Sequence, residues 1–431
     1  MKFIKNIKIY HQFFIFLILI IMASLFFSFL YLNKFGHIID DNNNMIFRNI
    51  TFGYGPLIHN LIENGSYSSK FFNNIDFVLQ KLPVLPLLIF LIAKVTNNFY
   101  LIVVLKNLIT FSILYWVIIF YLKSLKLNIH YLYIYLLIFL VPYNMFVALS
   151  FEFADNITSI LFPSLFLILM SNINQKYLIS TIIIFFLYLT KISMLFVCLA
   201  IPVIIFLFDN KKSFTSKTNI IFLGPLVAML LWGTFSYLKT ERVAIGTGSL
   251  TVNSLGLTIA SDERFLDYYP DKSVDILLYK IHIPSKLKNE WELYDYYKKK
   301  NEDHFSKEGN LEKYLMTLPK KIMVILFYIK RDSTHPDADE NFKNPIRYSF
   351  IFSKFFINFS ILLSLYSTIQ SIRKNSFFKN DFIFMSMLGL SLLPLIAGWA
   401  TAKHLVPISI LCFFYIVYKI QIFKKIINNQ I

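Results

Sequence analysis

Glycine and proline are scarce in this chain, at 12 and 14 of 431 residues, cysteine occurs twice, and charged side chains make up only 16%. So little glycine excludes a collagen-like repeat, and so few charges in so apolar a chain exclude intrinsic disorder. Cys198 and Cys412 both lie inside apolar runs, so neither a disulfide framework nor a cysteine metal cluster can be argued. No Walker loop, GxSxG, HExxH or dinucleotide fingerprint occurs. What is abundant is hydrocarbon: 56% of residues are hydrophobic and 47 are Phe. The apolar residues arrive in repeated uncharged stretches of about 20, which excludes a soluble globular protein and reads as a multi-pass membrane protein. The net charge of +17, from 42 basic and 25 acidic residues, then marks the inside-positive bias of membrane loops rather than a nucleic-acid surface.

Lys2, Lys5 and Lys8 precede an apolar run over 13–32 that no small-residue cleavage site closes, so it reads as an uncleaved first span. Further runs cover 98–122, 130–149, 156–171, 177–190, 193–208, 219–237, 351–371, 381–399 and 404–419, which makes about ten spans. Val84 to Val95, after Lys81-Leu82-Pro83, is too short to cross and is expected to be a half-helix at the surface. With it outside the membrane, the basic loops around Lys123, Lys176, Lys211, Arg373 and Lys424 align on the inner side. Both termini are then cytoplasmic, and residues 33–97 and 238–350 form two large outer loops. The expected organisation is an N-terminal membrane module (1–237, carrying loop 33–97), an extracytoplasmic loop domain (238–350) and C-terminal membrane helices with a basic tail (351–431).

In the first outer loop, Gly65 is placed to cap a short helix that ends at Glu63-Asn64. In the second, Gly246 to Pro270 reads as irregular or β-like, whereas Asn289 to Lys307 and Leu311 to Lys330 read as helices. On the latter, Leu315, Leu318, Ile322, Ile325 and Phe327 either rest on the bilayer, with Lys313, Lys320, Lys321 and Lys330 at the headgroups, or pack on the other loop. Asp337-Ala338-Asp339 has metal-binding Asp-x-Asp spacing, but without the strands of a nucleotide-binding fold it reads as a polar loop. No cofactor is certain: a divalent metal is possible, but no motif supports one.

Several fragments, in order, resemble the glycosyltransferase C (GT-C) superfamily, in particular its protein-mannosyltransferase-like and aminoarabinose-transferase-like members. They are the helix ending in Glu63-Asn64-Gly65-Ser66-Tyr67, the Lys81-Leu82-Pro83 entry to the half-helix, and Lys106 early in the next span. Glu152 to Asp155 in a short outer turn, Leu189-Thr190-Lys191, Asn289-Glu290-Trp291-Glu292, and Lys403-His404-Leu405-Val406-Pro407 complete the series. The resemblance covers most of the chain and implies an all-α polytopic membrane protein of the cytoplasmic membrane. One departure stands out. Family members carry an acid a few residues before the aromatic at the Tyr54 position, and here that stretch is Asn49-Ile50-Thr51-Phe52-Gly53. Either the loop is re-registered or the acid comes from elsewhere.

The resemblance further implies transfer of a sugar from a polyprenyl-phosphate donor to a lipid, glycan or protein acceptor at the outer face. Such chemistry needs a carboxylate to take the hydroxyl proton and cations to stabilise the leaving phosphate. Asp40, Asp41, Glu152 and Asp155 are the candidate acids, with a solvated turn as the other reading of the first two and helix capping as that of the last two. Lys81, Lys106, Lys191, Lys403 and His404 are candidate phosphate ligands, and Tyr54 and Glu63 belong to the expected substrate loop. Lys106 lies roughly 12 Å inside its span, where a lysine needs a partner or a water-filled cavity: donor phosphate is one reading, a structural carboxylate or simple snorkelling the other. Rival functions are a lipid-linked glycan transporter and a catalytically inactive GT-C-like assembly factor. No Gly/Pro-broken pair of spans in matching halves supports the transporter.

Overall fold

A computed structural model describes residues 2–49, 54–71, 75–79, 81–151, 154–209, 217–245, 287–328, 340–373, 379–397 and 402–428. In chain order the elements are α1 (Lys2–Phe35), α2 (Gly55–Asn64), a hairpin of β1 (Ser69–Phe71) and β2 (Ile75–Phe77), α3 (Val84–Ala93), α4 (Phe99–Ser124), α5 (Tyr131–Leu136), α6 (Pro142–Leu149), α7 (Asp155–Met170), α8 (Lys176–Tyr188), α9 (Leu195–Asp209), α10 (Leu223–Thr240), α11 (Glu290–Phe305), α12 (Asn310–Met323), α13 (Glu340–Arg373), α14 (Lys379–Ala397) and α15 (Ala402–Asn428). Among the described residues, 6 helical stretches are long and apolar enough to cross a membrane, or 7 if α5 and α6 form one broken span. The molecule therefore has the build of a multi-pass membrane protein. The remaining apolar runs also form helices, shorter ones: α3, α7, α8 and the stretch Ile192–Phe208.

Helix α7 combines a largely apolar sequence with a few polar side chains, among them Asn156, Thr158 and Ser159, and all 16 of its residues are buried, which places it at the centre. Its Phe166 meets the rings of Tyr415 and Tyr418 on α15 and Phe384 on α14, at centroid distances of 6.1, 5.8 and 6.1 Å. Helix α1 is the opposite case, with Phe14, Met22 and Phe26 exposed as on a lipid-facing helix. One stripe attaches it to α4, where Phe13 lies 4.8 Å from the Tyr115 ring and the Tyr115 hydroxyl donates to the Ile9 carbonyl at 3.0 Å.

The run 130–149, expected as one straight span, bends by 90° between residues 131–140 and α6. The cause is Pro142. The residue before a proline is driven out of the helical region, and Val141 accordingly has φ −63° and ψ 116° while Pro142 opens α6 in its first turn. The C-terminus of α6 therefore falls inside the protein, and its orphaned carbonyls need donors.

The first outer loop follows expectation locally. Gly65 closes α2 at φ +63°, and the half-helix α3 spans 10 residues, about 15 Å and too short to cross. The Val84 amide, an orphan at the start of α3, donates to the Leu189 carbonyl beyond α8 at 3.2 Å. In the second loop Asn289 caps α11: its Oδ1 accepts from the Glu292 amide at 2.9 Å, and the Glu292 carboxylate accepts from the Lys288 amide just before the cap at 2.7 Å.

Helix α12 departs from the bilayer-surface reading at one residue. Lys321 is buried rather than at headgroups, with its Nζ 3.4 Å from the Ala397 carbonyl and 5.3 Å from the Tyr314 ring centre. The Tyr314 hydroxyl donates to the same carbonyl at 2.8 Å, so this face of α12 closes the C-terminus of α14. Burial lowers the Lys321 ammonium to about 7. Ile325 is also buried, whereas Leu315, Ile322 and Phe327 are exposed. Gly246 to Pro270, Lys330 and the Asp337-Ala338-Asp339 sequence lie outside the described residues, as does the Lys320 side chain. The two loops meet: Glu290 of α11 accepts from the Val78 and Leu79 amides at 3.0 and 2.7 Å, so α11 and the chain before α3 lie on one side of the helical bundle.

Candidate functional site

At that side, segments distant in the chain bring together six of the residues singled out from the sequence. The site is built around Asp155, the first residue of α7, which is buried and forms an ion pair with Lys191 just beyond α8. The position of each follows from its helix. A carboxylate at a helix N-terminus and a cation beside a helix C-terminus are both favoured by the helix dipole, and α7 and α8 run antiparallel with those ends together. Tyr54 lies buried at the start of α2. Burial first, and then the Asp155 charge, push its phenol well above the usual range. The carboxylate acting on Tyr54 thus comes from across the fold, from the first residue of α7.

Lys81 completes the near side, its Nζ 5.3 Å from the centre of the Tyr54 ring. Its ammonium is pulled down to about 8, by burial first and next by Lys403; Asp155 opposes and Lys191 adds to the lowering. Lys403 and His404, in the first turn of α15, are half-buried on the far side, and His404 is within electrostatic range of Lys191, Lys403 and Lys81. Three lysines and one carboxylate form a half-buried basic cluster. Such an arrangement attracts an anion and holds a carboxylate beside it.

Lys81 is held by its main chain. Its carbonyl accepts from the Tyr67 hydroxyl at 2.8 Å, and the Tyr67 ring packs edge-on against Trp232 and Phe235 of α10 at 6.3 and 5.5 Å. In the sequence Tyr67 and Glu290 stand only as parts of the resemblance, with no role of their own. Their order along the chain carries no sign of one, because both act on the main chain of a strap rather than through a motif.

The other candidates lie apart. The Asp40 carboxylate is exposed and occupied, accepting from the Asn42 amide at 2.9 Å, the Asn44 amide at 2.7 Å and the Asn44 side chain at 3.1 Å. These bonds, those from Asn44 foremost, hold its pKa below the usual carboxylate range. The turn it closes is tied to the start of α4, with the Phe99 amide donating to the Asn43 carbonyl at 3.0 Å. Asp41 is exposed in the same turn and Glu63 is exposed at the end of α2. Glu152 lies outside the described residues.

Lys106 is fully buried and donates to the Leu149 and Ser150 carbonyls at 3.0 and 2.5 Å. Its partner is the C-terminus of the broken helix α6, neither a carboxylate nor the basic cluster. Asn107 also reaches the Leu149 carbonyl, at 3.3 Å, and Asn156 reaches that of Ser150. This buried knot fixes the chain leading into Asp155 from behind. Among the described residues no group of three or more His, Cys, Asp and Glu is placed to hold a metal.

No family model, curated protein or solved structure matches the chain.

Proposed function

We propose that the chain is an integral membrane glycosyltransferase of the GT-C type, transferring a sugar from a polyprenyl-phosphate donor to a lipid, glycan or protein acceptor at the outer face of the cytoplasmic membrane. The observation that carries this reading is the convergence of Tyr54, Lys81, Asp155, Lys191, Lys403 and His404 from four separate parts of the chain. In the proposed reaction the acceptor oxygen bonds to the sugar C1 and its proton passes to Asp155. The bond from C1 to the phosphate oxygen breaks, and the electron pair leaves on the polyprenyl phosphate. Lys81, Lys191, Lys403 and His404 meet that developing charge, the largest contribution protein groups make to such a step. Lys191 turns from Asp155 to the phosphate when donor arrives, which frees the carboxylate as base.

In topology, the ten apolar runs cross as ten spans, with α3 at the outer surface and both termini cytoplasmic. The basic inner loops support this orientation.

A second reading, a catalytically inactive relative serving in assembly, is favoured by one feature: Asp155 is already engaged by Lys191. Membranes supplied with labelled polyprenyl-phosphate sugars separate the two. Transfer that falls about 100-fold or more in Asp155→Asn, and strongly in Lys191→Ala at equal expression, supports the enzyme. Transfer untouched by both changes sinks the site, and no transfer from any donor favours the inactive relative.

A further inference from the structure

Between β2 and α3, the described residues Val78, Leu79, Lys81 and Leu82 form a strap outside regular structure, whose main chain must find partners elsewhere. It is fastened at three places. The Lys81 carbonyl accepts from Tyr67 at 2.8 Å, and the Val84 amide just beyond donates to Leu189 at 3.2 Å. The third fastening comes from 211 residues away. A single carboxylate oxygen of Glu290, on the first turn of α11, accepts from both the Val78 and Leu79 amides, at 3.0 and 2.7 Å.

Glu290 is buried at 4% exposure, and its other carboxylate oxygen has no hydrogen-bond partner. Burying a carboxylate with half its acceptor capacity unused is costly. An apolar side chain would fill the same place more cheaply if packing were all that the site required. What an apolar side chain cannot do is receive two adjacent amides. Leu79 and Leu82, on either side of Lys81, are each 2% exposed, so a shift of the strap carries the lysine with it.

We infer that Glu290 is a positioning residue: it fastens the strap from the second outer loop and thereby sets Lys81 over Tyr54. The importance of that placement rests on the proposed role of Lys81 toward the donor phosphate, while the fastening itself does not. Loop 238–350 thus contributes to the basic cluster by holding one of its members.

The experiment reads the fastening without the reaction. In membranes of a Lys81→Cys variant, the rate at which a small water-soluble maleimide labels position 81 reports its placement. The native Cys198 and Cys412, both buried, report whether the fold is intact. Adding Glu290→Leu, which removes the acceptor, is expected to change the labelling rate at position 81 about tenfold, with Cys198 and Cys412 still protected. Adding Glu290→Gln, whose carbonyl can accept both amides, is expected to leave the rate within twofold of the parent. An unchanged rate with Glu290→Leu overturns the inference, and so does labelling of Cys198 or Cys412 in step with position 81, which would make Glu290 a support of the whole fold. With Lys81 restored, Glu290→Leu is expected to raise the donor KM about tenfold while kcat stays within threefold, and Glu290→Gln to rescue it. If no donor is turned over by any variant, the proposed function fails and the labelling result alone decides the fastening.

Discussion

Lys81 shows how one residue's surroundings set its use. Crowded by burial and by Lys403, its ammonium keeps its proton only to about pH 8, against about 10.4 for a free lysine. In the proposed reaction the charged form binds the donor phosphate, so donor capture is expected to hold below that value and to fall as pH rises through it. In kcat/KM, which reports the free enzyme, the alkaline limb is expected near pH 8. Lys81→Arg, which keeps its charge, is expected to move that limb upward by more than one unit. A limb unmoved by that change would show that another group titrates. Asp40 is the contrasting residue: with its carboxylate occupied by three donors in an exposed turn, Asp40→Asn is expected to leave transfer within threefold. Its neighbour Asp41 and the acid at Asp155 are the same residue type, and only surroundings separate them.

Among the elements, the broken helix and the short helices do most to shape the site. Helices α7 and α8, of 16 and 13 residues, extend about 24 and 20 Å, less than the ~30 Å hydrocarbon layer. The ends carrying Asp155 and Lys191 are shielded by the protein itself, with side chains 4% and 13% exposed, where a charge pair is less screened than at the surface. Behind them α6 stops short and is closed by Lys106. Lys106→Met would leave the Leu149 and Ser150 carbonyls short of a donor and is expected to cost about 2 kcal/mol in stability, seen as a lower Tm in detergent with donor KM unchanged. A raised KM at constant Tm would instead put Lys106 among the phosphate ligands. The contact between α10 and α8 is equally intolerant, for a Cβ on Gly224 would stand 2.5 Å from the Thr181 backbone oxygen and 3.3 Å from Ile184. Gly224→Ala is expected to force the helices apart at a cost of about 1–3 kcal/mol, measurable as a loss of thermal stability.

For the molecule as a whole, sidedness is the testable property. The bonds from Glu290 to Val78 and Leu79 place α11 and the chain before α3 on one side, which the proposed topology makes the exterior. An impermeant thiol reagent applied to intact cells is expected to label Asp303→Cys and Asp41→Cys and to spare Lys123→Cys. The reverse pattern would invert the topology and move the basic cluster to the cytoplasm, away from any externally presented lipid-linked sugar.

Runs of apolar residues, proline and helix-capping residues act locally, and for that reason the sequence alone determined that the chain is a multi-pass membrane protein and where its helices lie. Gly65, Asn289 and the ten residues of α3 did what their local chemistry required. The break before α6 escapes the apolar pattern, in which 130–149 is one run, and Pro142 supplies its local cause. What only the tertiary structure decided is which polar groups meet. Asp155 and Asp41 are both acids in outer turns, and Lys106 and Lys191 are both lysines at helical segments. Asp155 faces Lys191 and Tyr54, and Lys106 closes α6, because α7 and α8 pack antiparallel and α6 ends inside the protein. Periodicity places a side chain on a face of its own helix, but packing with the other helices decides what that face meets.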